Sequence, residues 1–309
     1  MIKYMGELLA LLSALGFTSR AVLIRRGLME ENPGIVWEIN FVIFLTSLLL
    51  FLLVICIATL FGFNIIQEIN SLTYAAILLL VLQGALGPVV GAFLITTAIA
   101  QIGASHSSAL WGGSNPLFAI LLAIMFLGER PSLFGIIGVV MIVCGILIVG
   151  YQNHAGTIAL LDKTKVAGGI IALLSGLFFA FSQIARGAAI RQGATPNTGF
   201  FIGVITALIT LTLICRIKSG NFKFLKHINR KSLLYYSGSG LGSLIGSYAL
   251  LTAFTFVPVW KAIAIRNSQP LFAIILAWLI LKKAETINLR IVLGASLITM
   301  GIVVLNVYP

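Results

Sequence analysis

Long, uninterrupted apolar runs constrain this chain more than any other feature. They recur from Gly6 to near the C-terminus and leave only 9% of the 309 residues charged, against 60% hydrophobic. A soluble domain carries about 25% charged residues, so too few polar side chains remain here to cover a water-facing surface. Lipid is the solvent that such a chain requires. A spanning helix needs about 20 mostly apolar residues, and ten such runs are legible: 5–25, 35–62, 72–100, 105–128, 132–151, 166–187, 197–216, 232–257, 259–281 and 287–307. Turn-like or charged segments separate them, such as Asn32-Pro33-Gly34 and Gly128-Glu129-Arg130-Pro131. The runs are continuous rather than alternating, which excludes a β-barrel. Helices satisfy their own backbone in a medium that offers no water. The expected fold is therefore an all-α integral membrane protein of ten transmembrane helices.

The net charge of +12 does not point to nucleic acid, because most basic residues flank the apolar runs, as positive-inside topology requires. One alternating set of loops carries Arg25, Arg26, Lys163, Lys165, Arg216, Lys218, Arg230, Lys231, Lys282 and Lys283 among others. The other set carries Lys3, Arg130 and Arg191. This bias puts both termini outside the cell membrane. Cys56, Cys144 and Cys215 share no motif with histidines or carboxylates and read as small core residues. No metal-ligand cluster, nucleophile–base arrangement or phosphate-binding glycine loop is present, so no cofactor and no enzymatic activity are expected.

The chain also repeats itself. Ala10-Leu11-Leu12-Ser13 returns as Ala172-Leu173-Leu174-Ser175, and Asn115-Pro116-Leu117-Phe118-Ala119-Ile120 returns as Gln269-Pro270-Leu271-Phe272-Ala273-Ile274. Gly87 and Gly91 correspond to Gly242 and Gly246. Gly138 and Gly145 correspond to Gly294 and Gly301. The matches divide the chain into repeats at 1–155 and 156–309. Five helices per repeat is an odd number, so the second repeat enters the membrane from the opposite side. Inverted repeats recur in transporters, with the solute site near the midplane between them.

With these motifs in view, the sequence resembles the drug/metabolite transporter superfamily, EamA type. Its most specific element is the proline-containing helix followed by Leu127-Gly128-Glu129-Arg130 and the glycine-spaced run at 132–151; the second copy departs to Leu281-Lys282-Lys283-Ala284-Glu285. The resemblance implies two four-helix sets around a central cavity, with the last helix of each half peripheral. It implies transport without naming a solute.

Ionisable side chains inside a membrane are costly and tend to be functional. Arg266 lies about 10 Å into the ninth span at 1.5 Å per residue, followed by Asn267, Ser268, Gln269 and Pro270. The proline removes a donor and clashes with the preceding turn, so the Arg266 carbonyl loses its usual partner. The matching stretch in the fourth span is Trp111, Gly112, Gly113, Ser114, Asn115 and Pro116. These residues, with Arg20, Lys261, His106 and Tyr248, form the candidate solute site. Against that stands a structural role: a kink, an interfacial anchor or small-residue packing. Arg186 reads as such an anchor, Glu38 as a partner for Arg20 or Arg25 or a proton carrier, and Glu129 and Glu285 as cap residues.

The excess of basic over acidic side chains within the spans favours a carboxylate or phosphate on the solute. The expected function is secondary transport, in the plainest version export, of a small polar metabolite such as an amino acid. Its expected partners are that solute, the bilayer and a coupling ion or proton; a homodimer is left open. An exporter of drug-like or quaternary ammonium compounds would use an acid in the membrane and aromatic walls. A non-transporting scaffold or receptor would need no polar, kinked helix pair.

Overall fold

The computed structural model describes residues 4–28, 36–102, 104–150, 163–219 and 228–269, with 272, 293–294, 296–298, 300–301 and 303–304. Pro270, Glu285 and most of the ninth and tenth expected spans lie outside the described residues, as do the side chains of Arg25 and His106. The described elements are all helical: α1 (Met5–Leu28), α2 (Val36–Thr59), α3 (Ile65–Asn70), α4 (Tyr74–Gly84), a π-helical segment (Ala85–Gly91), α5 (Ala92–Ile102), α6 (Ala104–Leu127), α7 (Leu133–Gly150), α8 (Lys163–Arg191), α9 (Pro196–Ser219), α10 (Arg230–Ala253) and α11 (Val259–Arg266).

Each of the first eight expected spans is a helix, the third being α4, the π-helical segment and α5 in continuity. Six are long and apolar enough to cross a membrane by length and composition: Met5–Leu28, Val36–Thr59, Tyr74–Ala98, Leu110–Leu127, Val166–Arg191 and Pro196–Ile217. The chain is thus a multi-pass membrane protein. α10 is richer in serine and glycine, and its Ser232, Ser239, Ser243 and Ser247 are buried against neighbouring helices. Leucines such as Leu8, Leu49, Leu53, Leu78, Leu121 and Leu213 face outward instead, where lipid tails cover them at no cost. Two of the cysteines depart from the core expectation. Cys215 is buried, whereas Cys56 and Cys144 lie on the outer surface, because a thiol is apolar enough for lipid contact.

The sequence repeats are repeats of packing. α1 lies on α10, and α8 lies on the α4–π–α5 span. Exchanging the halves turns one pairing into the other. Ser13 Oγ donates to the Gly246 carbonyl at 2.7 Å, and Ser175 Oγ donates to that of Gly91 at 2.9 Å. A Cβ on Gly246 would meet the ring of Phe17, and one on Gly91 would meet the ring of Phe179. The seven-spaced glycines face each other in the same manner. A Cβ on Gly145 would meet Ile298 and the Gly294 carbonyl, and one on Gly301 would meet Ile142 and the Gly138 carbonyl. Small residues let backbones approach this closely where no hydrophobic effect drives helices together.

Polar contacts also fix helix directions. Glu7 at the start of α1 pairs with Lys261 at the start of α11. Glu129, just past the end of α6, binds the backbone at the start of α11 and Arg191 at the end of α8. The starts of α1 and α11 therefore share one end of the bundle with the ends of α6 and α8. Repeat-equivalent helices (α1 with α8, α6 with α11) run in opposite senses.

One feature breaks the equivalence. Pro88 has no N–H to donate, and the surrounding turn widens so that Ala92 N reaches the Gly87 carbonyl five residues back. The matching stretch of α10 has no proline and stays a regular helix.

A methyl group on Gly16 would sit 2.5 Å from Gly246 N, a backbone atom that cannot move aside alone. Gly16→Ala is expected to destabilise the protein by about 1–3 kcal/mol. Gly113→Ala, whose Cβ would meet only the tip of Leu147 at 3.3 Å, should be close to neutral; thermal unfolding in detergent compares the two.

Candidate functional site

α11 stops at Arg266, four residues before Pro270, where the missing proline donor is felt. Asn267 adopts φ −71°, ψ 3°, and Ser268 N bonds to the Ile265 carbonyl three residues back. Arg266 is thereby held at a helix C-terminus, where the backbone dipole favours a cation. Its side chain is 2% exposed. The guanidinium carbon lies 4.4 Å from the ring centroid of Phe17 and 5.1 Å from that of Trp111. Rings thus cover the guanidinium, a favourable arrangement for a desolvated cation. Arg266 Nε and Nη1 have no hydrogen-bond partner among the described residues.

The fourth and ninth spans meet directly beside it. Asn267 Nδ2 donates to Asn115 Oδ1 at 3.0 Å, and Asn115 Nδ2 donates to the Gly176 carbonyl of α8 at 2.9 Å. Ser114 packs on Gly176, and Pro116 is buried within α6. The Gln269 carbonyl accepts from Thr18 Oγ1 of α1. Further buried polar atoms are without partners among the described residues: Trp111 Nε1, Asn267 Oδ1, Ser268 Oγ and Gln269 Nε2.

Two more arginines, Arg20 and Arg186, lie on α1 and α8, which both pack against α11. Arg20 donates to Asn40 Oδ1 at 3.3 Å and lies over the Phe44 ring at 5.4 Å; it does not pair with Glu38. Arg186 corrects the reading of an interfacial anchor. It is 9% exposed and donates from Nε to Gln83 Oε1 at 2.5 Å. The reason is that α8 continues to Arg191 rather than ending near 187, which puts Arg186 more than a turn inside.

The remaining candidates lie apart. Lys261, five residues before Arg266, is neutralised by Glu7 at 3.0 Å. Tyr248 directs its hydroxyl to Asn197 at 2.7 Å, into a network with Glu68 and Thr195. His106 lies on α6, with its side chain outside the described residues. Glu7 was not legible as a buried acid, since a carboxylate in a first helical turn looks like an ordinary helix-start residue.

Glu129 proves to be a cap, and it caps a helix of the other repeat. Its carboxylate accepts from Val259 N at 3.0 Å, Trp260 N at 3.3 Å and Arg191 Nη2 at 2.6 Å. Gly128 makes this reach available, because its φ of 62° lies in a region that other residues enter at a cost. A cavity of about 280 Å³ opens beside this clasp, lined by Glu129, Gly187, Arg191 and residues 254–259. Glu129→Ala removes all three bonds and is expected to cost about 2 kcal/mol. Arg191→Ala loses a half-exposed ion pair and a bond to the Leu127 carbonyl and should cost about 1 kcal/mol or less; melting curves of the two variants test the difference.

Comparisons with known proteins agree with this architecture. One solved structure, described only as the crystal structure of a protein, superposes with a TM-score of 0.70 at 14% identity, over 98% of this chain and 95% of its own. That likeness establishes the fold alone. No curated protein matches the chain. The model of the EamA-like transporter family matches twice, over residues 4–151 and 166–307. Those two matches take in nearly the whole sequence, one per repeat, and the chain accordingly belongs to the EamA-like transporter family.

Proposed function

We propose that the protein is a secondary transporter of a small, carboxylate-bearing polar metabolite, in its plainest form an amino-acid exporter. It works by alternating access between two inverted five-helix repeats, ten spans in all, with both termini outside. A gradient of a coupling ion or proton drives it.

Arg266 is the observation that carries this reading. A buried guanidinium with two nitrogens unpaired among the described residues is expensive in a membrane. An anionic group supplied by a solute offsets that cost. The arginine sits where a helix breaks between the two repeats, the kind of position at which inverted-repeat transporters hold their solutes. Family membership favours transport over a scaffold or receptor. Quaternary ammonium export is less well supported, because the faces of Phe17 and Trp111 that would cage such a cation already hold Arg266.

In proteoliposomes, Arg266→Gln is expected to reduce flux of the anionic substrate by roughly tenfold or more, the loss of one charge-assisted contact of about 1.4 kcal/mol or above. Unchanged flux of every anionic solute tested would refute the electrostatic part of the proposal. Tags at either terminus should react with an impermeant reagent on intact cells; reaction only after permeabilisation reverses the orientation.

A further inference from the structure

We infer that the solute is multivalent: it presents at least two negative charges, and Arg20 and Arg186 meet it beside Arg266. This rests on the transport reading above and narrows its substrate class. The three guanidinium groups come from α1, α8 and the end of α11, and so from both repeats. Phe17 and Arg20 are three residues apart on one face of α1, and Phe17 is one of the rings covering Arg266. Trp111, the other ring, meets Phe179 edge-on; Phe179 lies two turns before Arg186 on α8. The aromatic contacts thus draw the three arginine-bearing segments together.

What these arginines bond to is as informative as where they lie. Arg20 is held by the amide oxygen of Asn40 and Arg186 by that of Gln83. An amide orients a guanidinium without cancelling its charge. Glu7 is engaged with Lys261 and Glu129 with Arg191 and α11, and none of the three arginines has a carboxylate ion pair among the described residues. Three positive charges on neighbouring helices are therefore left without a compensating carboxylate among the described residues, in a medium of low polarity where Coulomb forces decay slowly. One carboxylate offsets one of the three. A solute with two or more anionic groups offsets more of them in a single binding event. With rings over its faces, Arg266 offers only its in-plane N–H groups, which suit carboxylate or phosphate oxygens and not an aromatic ring.

The test is thermal unfolding of the purified full-length protein near neutral pH, at matched ionic strength, with acetate, succinate, citrate or inorganic phosphate. Succinate, citrate and phosphate are expected to raise the melting temperature at concentrations about tenfold or more below acetate, as added charge-assisted contacts require. Arg186→Gln and Arg20→Gln should each bring the succinate response down toward that of acetate, and Arg186→Lys should keep the preference. Without added anion, both Gln variants should melt at or above the wild-type temperature, since a like charge has been removed.

Equal responses to acetate and succinate in the wild type, both lost in Arg266→Gln, overturn the multivalent inference and leave a single-carboxylate transporter standing. Gln variants that melt below the wild type without anion also overturn it, because the arginines are then structural. If no anion shifts the melting temperature and Arg266→Gln leaves flux intact, the anionic reading under it fails too.

Discussion

Close backbone approach at glycine is the contact on which the other features depend. Lipid tails are as apolar as leucine side chains, so burying leucine gives helices in a membrane no reason to associate. Dispersion between closely packed atoms replaces that drive, and it needs surfaces that fit. Gly16 against Gly242 and Gly246 seats α1 on α10. Gly84 against Gly203 does the same for α4 and α9. Serines then bond across these seams to the carbonyls they expose, as Ser13 and Ser175 do. The result inverts the soluble pattern, with small and polar residues inside and leucine outside.

That arrangement makes a buried charge tolerable. Arg266 stands at the negative end of α11, under two aromatic rings. None of these contacts consumes its in-plane donors. Glu129, by contrast, is saturated by its partners. The molecule thus separates charges that hold it together, at the ends of the helices, from charges left available near its middle.

Much of this was legible in the sequence, for a physical reason. Apolar runs report lipid contact directly, and the repeated Ala-Leu-Leu-Ser and paired glycines report packing because each sits at a helix seam. Pro270 marked the break at Arg266 because a missing donor acts at a fixed distance of four residues. The site was less legible where tertiary reach decides. Arg186 looked interfacial because the end of α8 cannot be located from an apolar run that trails into Ala188, Ala189 and Ile190. Glu7 is a buried acid only because the fold sets Lys261 beside it. Glu129 could be read as a cap, but only the fold shows that the capped helix belongs to the other repeat.

The π-helical turn at Pro88 bears on the proposed exchange of roles between the two repeats. In an inverted pair of identical halves, the conformation open to one side and that open to the other are mirror roles with equal free energy. A widened turn in the third span, with no counterpart in α10, removes that degeneracy. Under the alternating access proposed above, such an asymmetry would favour one of the two exchanged states even with nothing bound. A single imino acid, five residues from the Gln83 that holds Arg186, would in this way help to set which side of the membrane the proposed transporter waits on.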